Sequence, residues 1–206
     1  MTDLDPIQWL SAFAALAEDN AELLTELDAA IGDADHGSNI HRGTAAVVAA
    51  LTETAPGGPA ETLKQAGMVL IRTIGGASGP LYGTFFLRFA AAVDSDSLDA
   101  ATFAKAFRAG VDGIVARGKP ETGDKTMYDA LAPAVQAFDE RLGEGADFAE
   151  SLDAALRAAE AGRDATILMP ARKGRASYLG ERSVGHQDPG ATSATLLVRA
   201  AREVLR

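Results

Sequence analysis

The sequence predicts an all-α fold, a single-domain barrel or bundle of about eight antiparallel helices spanning residues 1–206. Three observations carry this. Apolar residues recur at helical spacing along nearly the whole chain. No run of alternating apolar and polar residues is long enough to build a sheet. The composition is 47% hydrophobic but only 6% aromatic, so Ala, Leu and Val supply most of the apolar surface, which suits close helix packing better than a β-sandwich.

The elements follow in order. Asp5-Pro6 offers an N-cap followed by proline at the first helical position, where the missing N–H does no harm. Ile7, Leu10, Phe13, Leu16, Leu23, Leu24 and Leu27 then carry one helix to Ile31-Gly32. A second helix runs over about 38–54 and stops at Pro56-Gly57-Gly58-Pro59. A third covers about 60–74, a fourth starts near Ser78-Gly79-Pro80 and continues to Val93, and a fifth runs from about Asp99 to Arg117. The sixth is expected over about 124–142 with Asp124 as its cap, the seventh over about 147–169, and the eighth over about 189–205. That last helix has Asp188 as N-cap and Pro189 in its first turn, the start signal of the first helix again. Residues 170–188 form the one long irregular stretch, and loops of that length in a compact domain usually serve function.

Charge and composition exclude several roles. Asp+Glu number 29 against 19 Lys+Arg, a formal charge of −10, which argues against nucleic acid as a partner because phosphate contacts need basic excess. With no cysteine, disulfides, thiolate metal sites and cysteine nucleophiles are excluded, and a reducing cytoplasmic setting fits. No stretch approaches the roughly 18 apolar residues of a membrane span, and residues 1–6 open with acid rather than a basic targeting segment. Neither a membrane nor a secretory route is expected.

The most informative stretch is Asp28-Ala29-Ala30-Ile31-Gly32-Asp33-Ala34-Asp35-His36-Gly37-Ser38-Asn39. Asp28 falls in the last turn of the first helix, where a carboxylate opposes the helix dipole unless a cation compensates. Asp33 and Asp35 lie one residue apart in the turn and can face the same point. Hard oxygen ligands of this kind suit Mg²⁺ or Ca²⁺, whereas an EF-hand would need Gly at Ser38 and Glu at Thr44. His36, Gly37, Ser38 and Asn39 would form the first turn of the next helix, whose free N–H groups favour an anion. Acids for a divalent metal beside a helix N-terminus outline a phosphate site. His36 reads either as a phosphate contact or as a capping residue.

Gly75-Gly76-Ala77-Ser78-Gly79-Pro80 is a second glycine-rich turn before a helix. It reads as a close backbone approach to a ligand or as a plain helix–helix connection. Met127, in Gly123-Asp124-Lys125-Thr126-Met127, could lie against a planar base or belong to the core. The irregular stretch carries three glycines and four basic residues in an acidic chain, as expected of a loop that closes on something anionic. Arg175 in it suits phosphoryl oxygens.

Together these segments, with Leu81-Tyr82-Gly83-Thr84, Gly174-Arg175-Ala176-Ser177-Tyr178-Leu179-Gly180-Glu181-Arg182 and Gly185-His186-Gln187-Asp188-Pro189-Gly190-Ala191-Thr192-Ser193, resemble the L subunit of dihydroxyacetone kinase over essentially the whole chain. The resemblance implies an eight-helix barrel with an adenine nucleotide, ADP or ATP, held among the loops at one end. It implies that Asp28, Asp33 and Asp35 bind Mg²⁺, as a pair of ions bridging the phosphates. His36, Gly37, Ser38, Asn39, Ala77 and Ser78 would line phosphates and ribose, and Gly118, Met127, Arg175, Asp188, Pro189 and Gly190 would complete the pocket.

In that family the sugar is held covalently by a histidine of a separate K subunit, so no histidine of this chain is expected to hold it. A free-standing chain of this length resembles the phosphotransferase-system version, in which bound ADP is rephosphorylated by a phosphohistidine of an M subunit. Arg175 would then assist phosphoryl transfer as the catalytic cation. The alternatives are a kinase subunit for another short ketose or tetrose, and a nucleotide-loaded regulatory module that binds a transcription regulator.

Overall fold

Nine α-helices and two 3₁₀ segments account for the regular structure, and no strand occurs, among the described residues of the computed structural model, which are 4–93 and 97–205. The acidic opening noted above lies partly outside them, in residues 1–3. The helices are α1 (Pro6–Asp19), α2 (Ala21–Ile31), α3 (His36–Glu53), α4 (Pro59–Thr73) and α5 (Ser78–Ala91). They continue with α6 (Ala100–Gly118), α7 (Met127–Gly143), α8 (Phe148–Ala165) and α9 (Pro189–Val204).

The helices close into a ring. From α3 to α9 each packs on the next, while α1 packs against both α3 and α9 and α2 continues beside the same two neighbours. Short connections force neighbours to run antiparallel. The N-termini of α3, α5, α7 and α9 therefore gather at one end of the barrel, with the C-termini of α2, α4, α6 and α8.

The expected first helix is two. Asn20 interrupts it, with its side-chain amide donating to the Leu16 carbonyl at 2.8 Å, a local bond that competes with the helical ladder. The expected sixth helix starts later than its acid suggested. Thr126 is the N-cap and forms a capping box with Asp129, whereas the buried Asp124 accepts from the Glu121 N–H at 2.8 Å. The seventh ends at Ala165 and gives way to a 3₁₀ turn, Thr166–Leu168. Half of the stretch expected to be irregular is a 3₁₀ segment, Arg175–Ser183, kinked at Gly180.

Aromatic residues are few but concentrated. Seven of the eight phenylalanines belong to one ring-contact network with Trp9, in which Phe103 meets Trp9, Phe89, Phe107, Phe138 and Phe148 at centroid distances of 5.2–5.8 Å, while Phe13 pairs with Tyr82. Such pairs add about 0.5–1.5 kcal/mol each beyond their buried area. The Trp9 indole donates to the Leu197 carbonyl at 3.0 Å and ties α1 to α9, which helps close the ring. Between α4 and α5 a Cβ on Gly67 would lie 2.9 Å from the Gly83 carbonyl oxygen, so glycine at 67 permits the close crossing that places the α4–α5 turn at the mouth.

Candidate functional site

The mouth holds a cavity of about 550 Å³. The turn between α2 and α3 forms its acidic side. Oxygens of Asp28, Asp33 and Asp35 all lie within 4.8 Å of one another. Asp28 is buried, and its Oδ2 accepts the backbone N–H groups of Asp35 at 2.8 Å and His36 at 3.1 Å. The carboxylate that opposes the dipole of α2 thus caps the N-terminus of α3, a favourable placement. A Cβ on Gly32 would sit 2.0 Å from Asp28 Oδ1, so only glycine lets that carboxylate fold back over the chain. Ala34 takes a left-handed conformation (φ 62°) between the other two acids, a local cost of roughly 1 kcal/mol or more. The other non-glycine residues with positive φ among those described, Lys119 and Lys125, also lie in a mouth connection. Strain of this kind concentrates at functional sites.

His36 opens α3 and is buried at the cavity wall. Its Nε2 lies 2.9 Å from Ser193 Oγ, which in turn lies 2.7 Å from Tyr82 Oη. Its Nδ1 faces Ser78 Oγ at 3.5 Å. Burial lowers the imidazole pKa from its usual 6.5, partly opposed by the charges of Asp28 and Asp35, so the neutral ring is favoured. This polar chain links α3, α5 and α9 behind the cavity. Ser193 and Tyr82 were not singled out as site residues, because nothing in their local sequence shows that they meet His36.

Asn39, Ala77, Ser78, Gly118, Met127, Arg175, Asp188, Pro189 and Gly190 all reach the cavity wall, as expected, whereas Gly37 and Ser38 lie just outside it. A Cβ on Gly37 would lie 2.0 Å from the Ala21 carbonyl oxygen, so this glycine packs α3 on α2. Ser38 Oγ donates to the Asp35 carbonyl at 2.9 Å. Asn39 is fixed by Arg42, whose guanidinium donates to its Oδ1 and to the Thr73 carbonyl. Because an arginine can only donate, the Asn39 amide must turn its Oδ1 toward Arg42.

Part of the wall is apolar. Leu81, Ile114, Gly118, Pro120 and Met127 form it, and a Cβ on Gly118 would press on Leu81 Cδ2 at 3.1 Å. An apolar slot with one end charged is the composition of a site for an amphipathic small molecule.

The connection between α8 and α9 completes the rim. Arg175 Nε reaches Asp33 Oδ2 at 2.9 Å. Asp188 caps α9, with Oδ2 accepting from the Ala191 N–H at 2.6 Å. Burial pushes its pKa up to about 7, the Ala191 hydrogen bond opposing this, Asp129 adding to it and Lys125 opposing it. Arg117 and Lys125 also line the cavity and were missed in the sequence. Arg117 ends α6 as a commonplace last-turn cation, and the role of Lys125 depends on contacts distant in sequence.

Known proteins resemble the chain in sequence and in fold. A family model described as the DAK2 domain matches residues 30–203. The chain is 46% identical over 194 residues to the "PEP-dependent dihydroxyacetone kinase, ADP-binding subunit DhaL" of Escherichia coli (strain K12), covering 94% of this chain and 92% of that protein. It is 44% identical over 194 residues to an ADP-binding subunit DhaL of a PEP-dependent dihydroxyacetone kinase of Listeria innocua, with the same coverage. The dihydroxyacetone kinase of C. freundii, solved in complex with AMP-PNP and Mg²⁺, superposes with a TM-score of 0.74 at 25% identity. That match covers 96% of this chain but only 33% of the solved one, so the chain spans about a third of that kinase's length.

Proposed function

The chain belongs to the DAK2 domain family, and from that premise we propose that it is the adenine-nucleotide-binding subunit of a dihydroxyacetone kinase. It is a phosphotransferase, in keeping with relatives named as dihydroxyacetone kinases and a neighbour bound to AMP-PNP and Mg²⁺. The observation that carries the reading is the convergence of three carboxylates, the first turns of α3, α5 and α9, and Arg175 around one cavity with an apolar wall.

The residues fit the ion the relatives imply. Asp28, Asp33 and Asp35 offer hard oxygen donors within 4.8 Å of one another, and Asp33 already draws in Arg175 as a counter-charge. These acids would hold Mg²⁺, as a pair of ions in the family pattern, and the metal would neutralise phosphate charge. The Asn39 and Ser78 side chains and the N-terminus of α3 would bind phosphates and ribose, with His36 as a neutral partner. Leu81, Ile114, Gly118 and Met127 would enclose the base, beside Pro189 and Gly190. Gly37 and Ser38 would act through the first turn of α3 rather than by lining the wall.

Phosphoryl transfer needs positioning and charge neutralisation more than covalent help from the protein. Arg175, exposed at the rim, would follow the transferring group. Dihydroxyacetone would be presented by a sugar-holding K subunit, and spent ADP would be rephosphorylated in place by a phosphohistidine M subunit. A nucleotide-dependent reaction of this kind fits a cytoplasmic setting, and residues 1–206 are read as a single nucleotide-binding domain. The relatives are named as kinases, which favours phosphoryl transfer over a regulatory module that binds a transcription regulator.

The test is reconstitution. Chain mixed with K subunit, M subunit and a labelled phosphoryl donor should move label to dihydroxyacetone, and the triple variant Asp28→Ala, Asp33→Ala, Asp35→Ala should not. Label that never leaves the chain would overturn the reading.

A further inference from the structure

Lys125 stands in a glycine-containing turn just before α7 and lines the cavity, yet its ammonium is committed to backbone. It is 1% exposed, and its Nζ donates to the carbonyls of Met169 at 3.1 Å, Ser183 at 2.6 Å and His186 at 2.6 Å. A lysine ammonium has three donors and no acceptor. All three are spent on backbone, and none remains for a ligand.

The three carbonyls are spread along the α8–α9 connection, one before its 3₁₀ segment, one at the end of it and one just short of α9. A single ammonium therefore gathers the whole stretch. Other bonds reinforce the same fold: Ala171 N–H to Ser183 Oγ at 2.7 Å, Gly185 N–H to the Ile167 carbonyl at 2.7 Å, and Arg172 N–H to the Asp124 carbonyl at 3.1 Å. Burying an ammonium is costly unless it is fully hydrogen-bonded. Lys125 also adopts φ 64°, a further local cost that the three carbonyl bonds must outweigh. The residues held this way flank those that face the cavity. Arg172 precedes Arg175 by three positions, and His186 precedes Asp188 by two.

We infer that Lys125 is the positioning residue of this segment, holding residues 169–186 so that Arg175 and Asp188 face the nucleotide while Lys125 itself touches no phosphate. The inference rests on the nucleotide reading above for its consequence, and on the carbonyl contacts alone for its mechanism.

Two readouts on the full chain separate these. The first is trypsin cleavage within 172–182 without ligand, where Lys125→Met should raise the rate about tenfold or more while the helices resist. The second is a double-mutant cycle on MgADP affinity with Lys125→Met and Arg175→Ala, measured below the melting temperature of each variant. Each single change should weaken binding about tenfold, and the double variant should be no more than about twofold weaker than the weaker single. A residue that merely stabilised the fold would leave the cycle additive. Should Lys125→Met fail to fold, Lys125→Arg, which keeps the charge but changes the geometry, goes through both assays. Additive losses, or unchanged cleavage, would overturn the inference. An unaltered chain that binds no MgADP would overturn the nucleotide reading and the role toward Arg175 with it, while the cleavage pattern would still decide whether Lys125 holds the segment.

Discussion

Arg175 Nε lies 2.9 Å from Asp33 Oδ2, so the α8–α9 connection lays its guanidinium on the acid cluster that the metal reading assigns to Mg²⁺. Arginine and metal then compete for one carboxylate. Arg175→Ala should tighten binding of Mg²⁺ alone, by about fivefold at most because exposed pairs of this kind are worth no more than about 1 kcal/mol. The same variant should weaken MgADP. Calorimetric titration with each ligand checks the opposite signs, and weakening of both would remove the competition.

Asp28 and its two neighbours should separate by stability. Asp28 satisfies two backbone N–H groups at the start of α3, so Asp28→Ala should cost about 2 kcal/mol in urea unfolding. Asp28→Asn keeps an acceptor oxygen and should recover most of that while still losing metal affinity. Asp33→Ala and Asp35→Ala, at exposed positions, should stay within about 0.5 kcal/mol of the parent.

Gly37→Ala should damage the site from behind. The added Cβ would lie 2.0 Å from the Ala21 carbonyl oxygen and 2.4 Å from Thr25 Oγ1. Forcing α2 and α3 apart should cost about 1–3 kcal/mol and lower MgADP affinity through displaced acids. A variant with parental stability and weakened nucleotide would instead make Gly37 a direct phosphate contact.

Asp188 gives a pH dependence of definite sign. Its folded pKa of about 7 stands above the ordinary 3.8, so the fold favours the protonated acid. The stability it contributes is full below about pH 4 and is lost as pH rises through about 7, with an upper bound of about 4 kcal/mol at 1.4 kcal/mol per pH unit. His36 runs the other way, because burial lowers its pKa and its contribution is lost as pH falls through that lowered value. Unfolding of ligand-free parent and Asp188→Asn between pH 5 and 8 isolates the first effect. The variant keeps a capping side chain, and its stability relative to the parent should rise with pH.

Much of this architecture was legible where the signal is local. The starts at Asp5-Pro6, Asp99 and Asp188-Pro189 stand as expected because each side chain caps its own helix. The acid cluster was legible because its members share one turn, and Arg175 because basic residues are rare enough to stand out. Competing side-chain bonds, local and distant alike, were not. Asn20 breaks a helix by reaching its own backbone at Leu16. Thr126 displaced Asp124 as a cap because the acid had a different partner at Glu121. The Lys125 ammonium meets carbonyls 44, 58 and 61 positions away, and no periodicity or spacing encodes such contacts.

The most direct test of the central claim is ADP titration of the intact chain with and without Mg²⁺, repeated on the variant lacking Asp28, Asp33 and Asp35 carboxylates. The account predicts one nucleotide per chain, bound at least about a hundredfold more tightly with Mg²⁺, and loss of that metal dependence in the variant. Equal ADP affinity in all four experiments would contradict it.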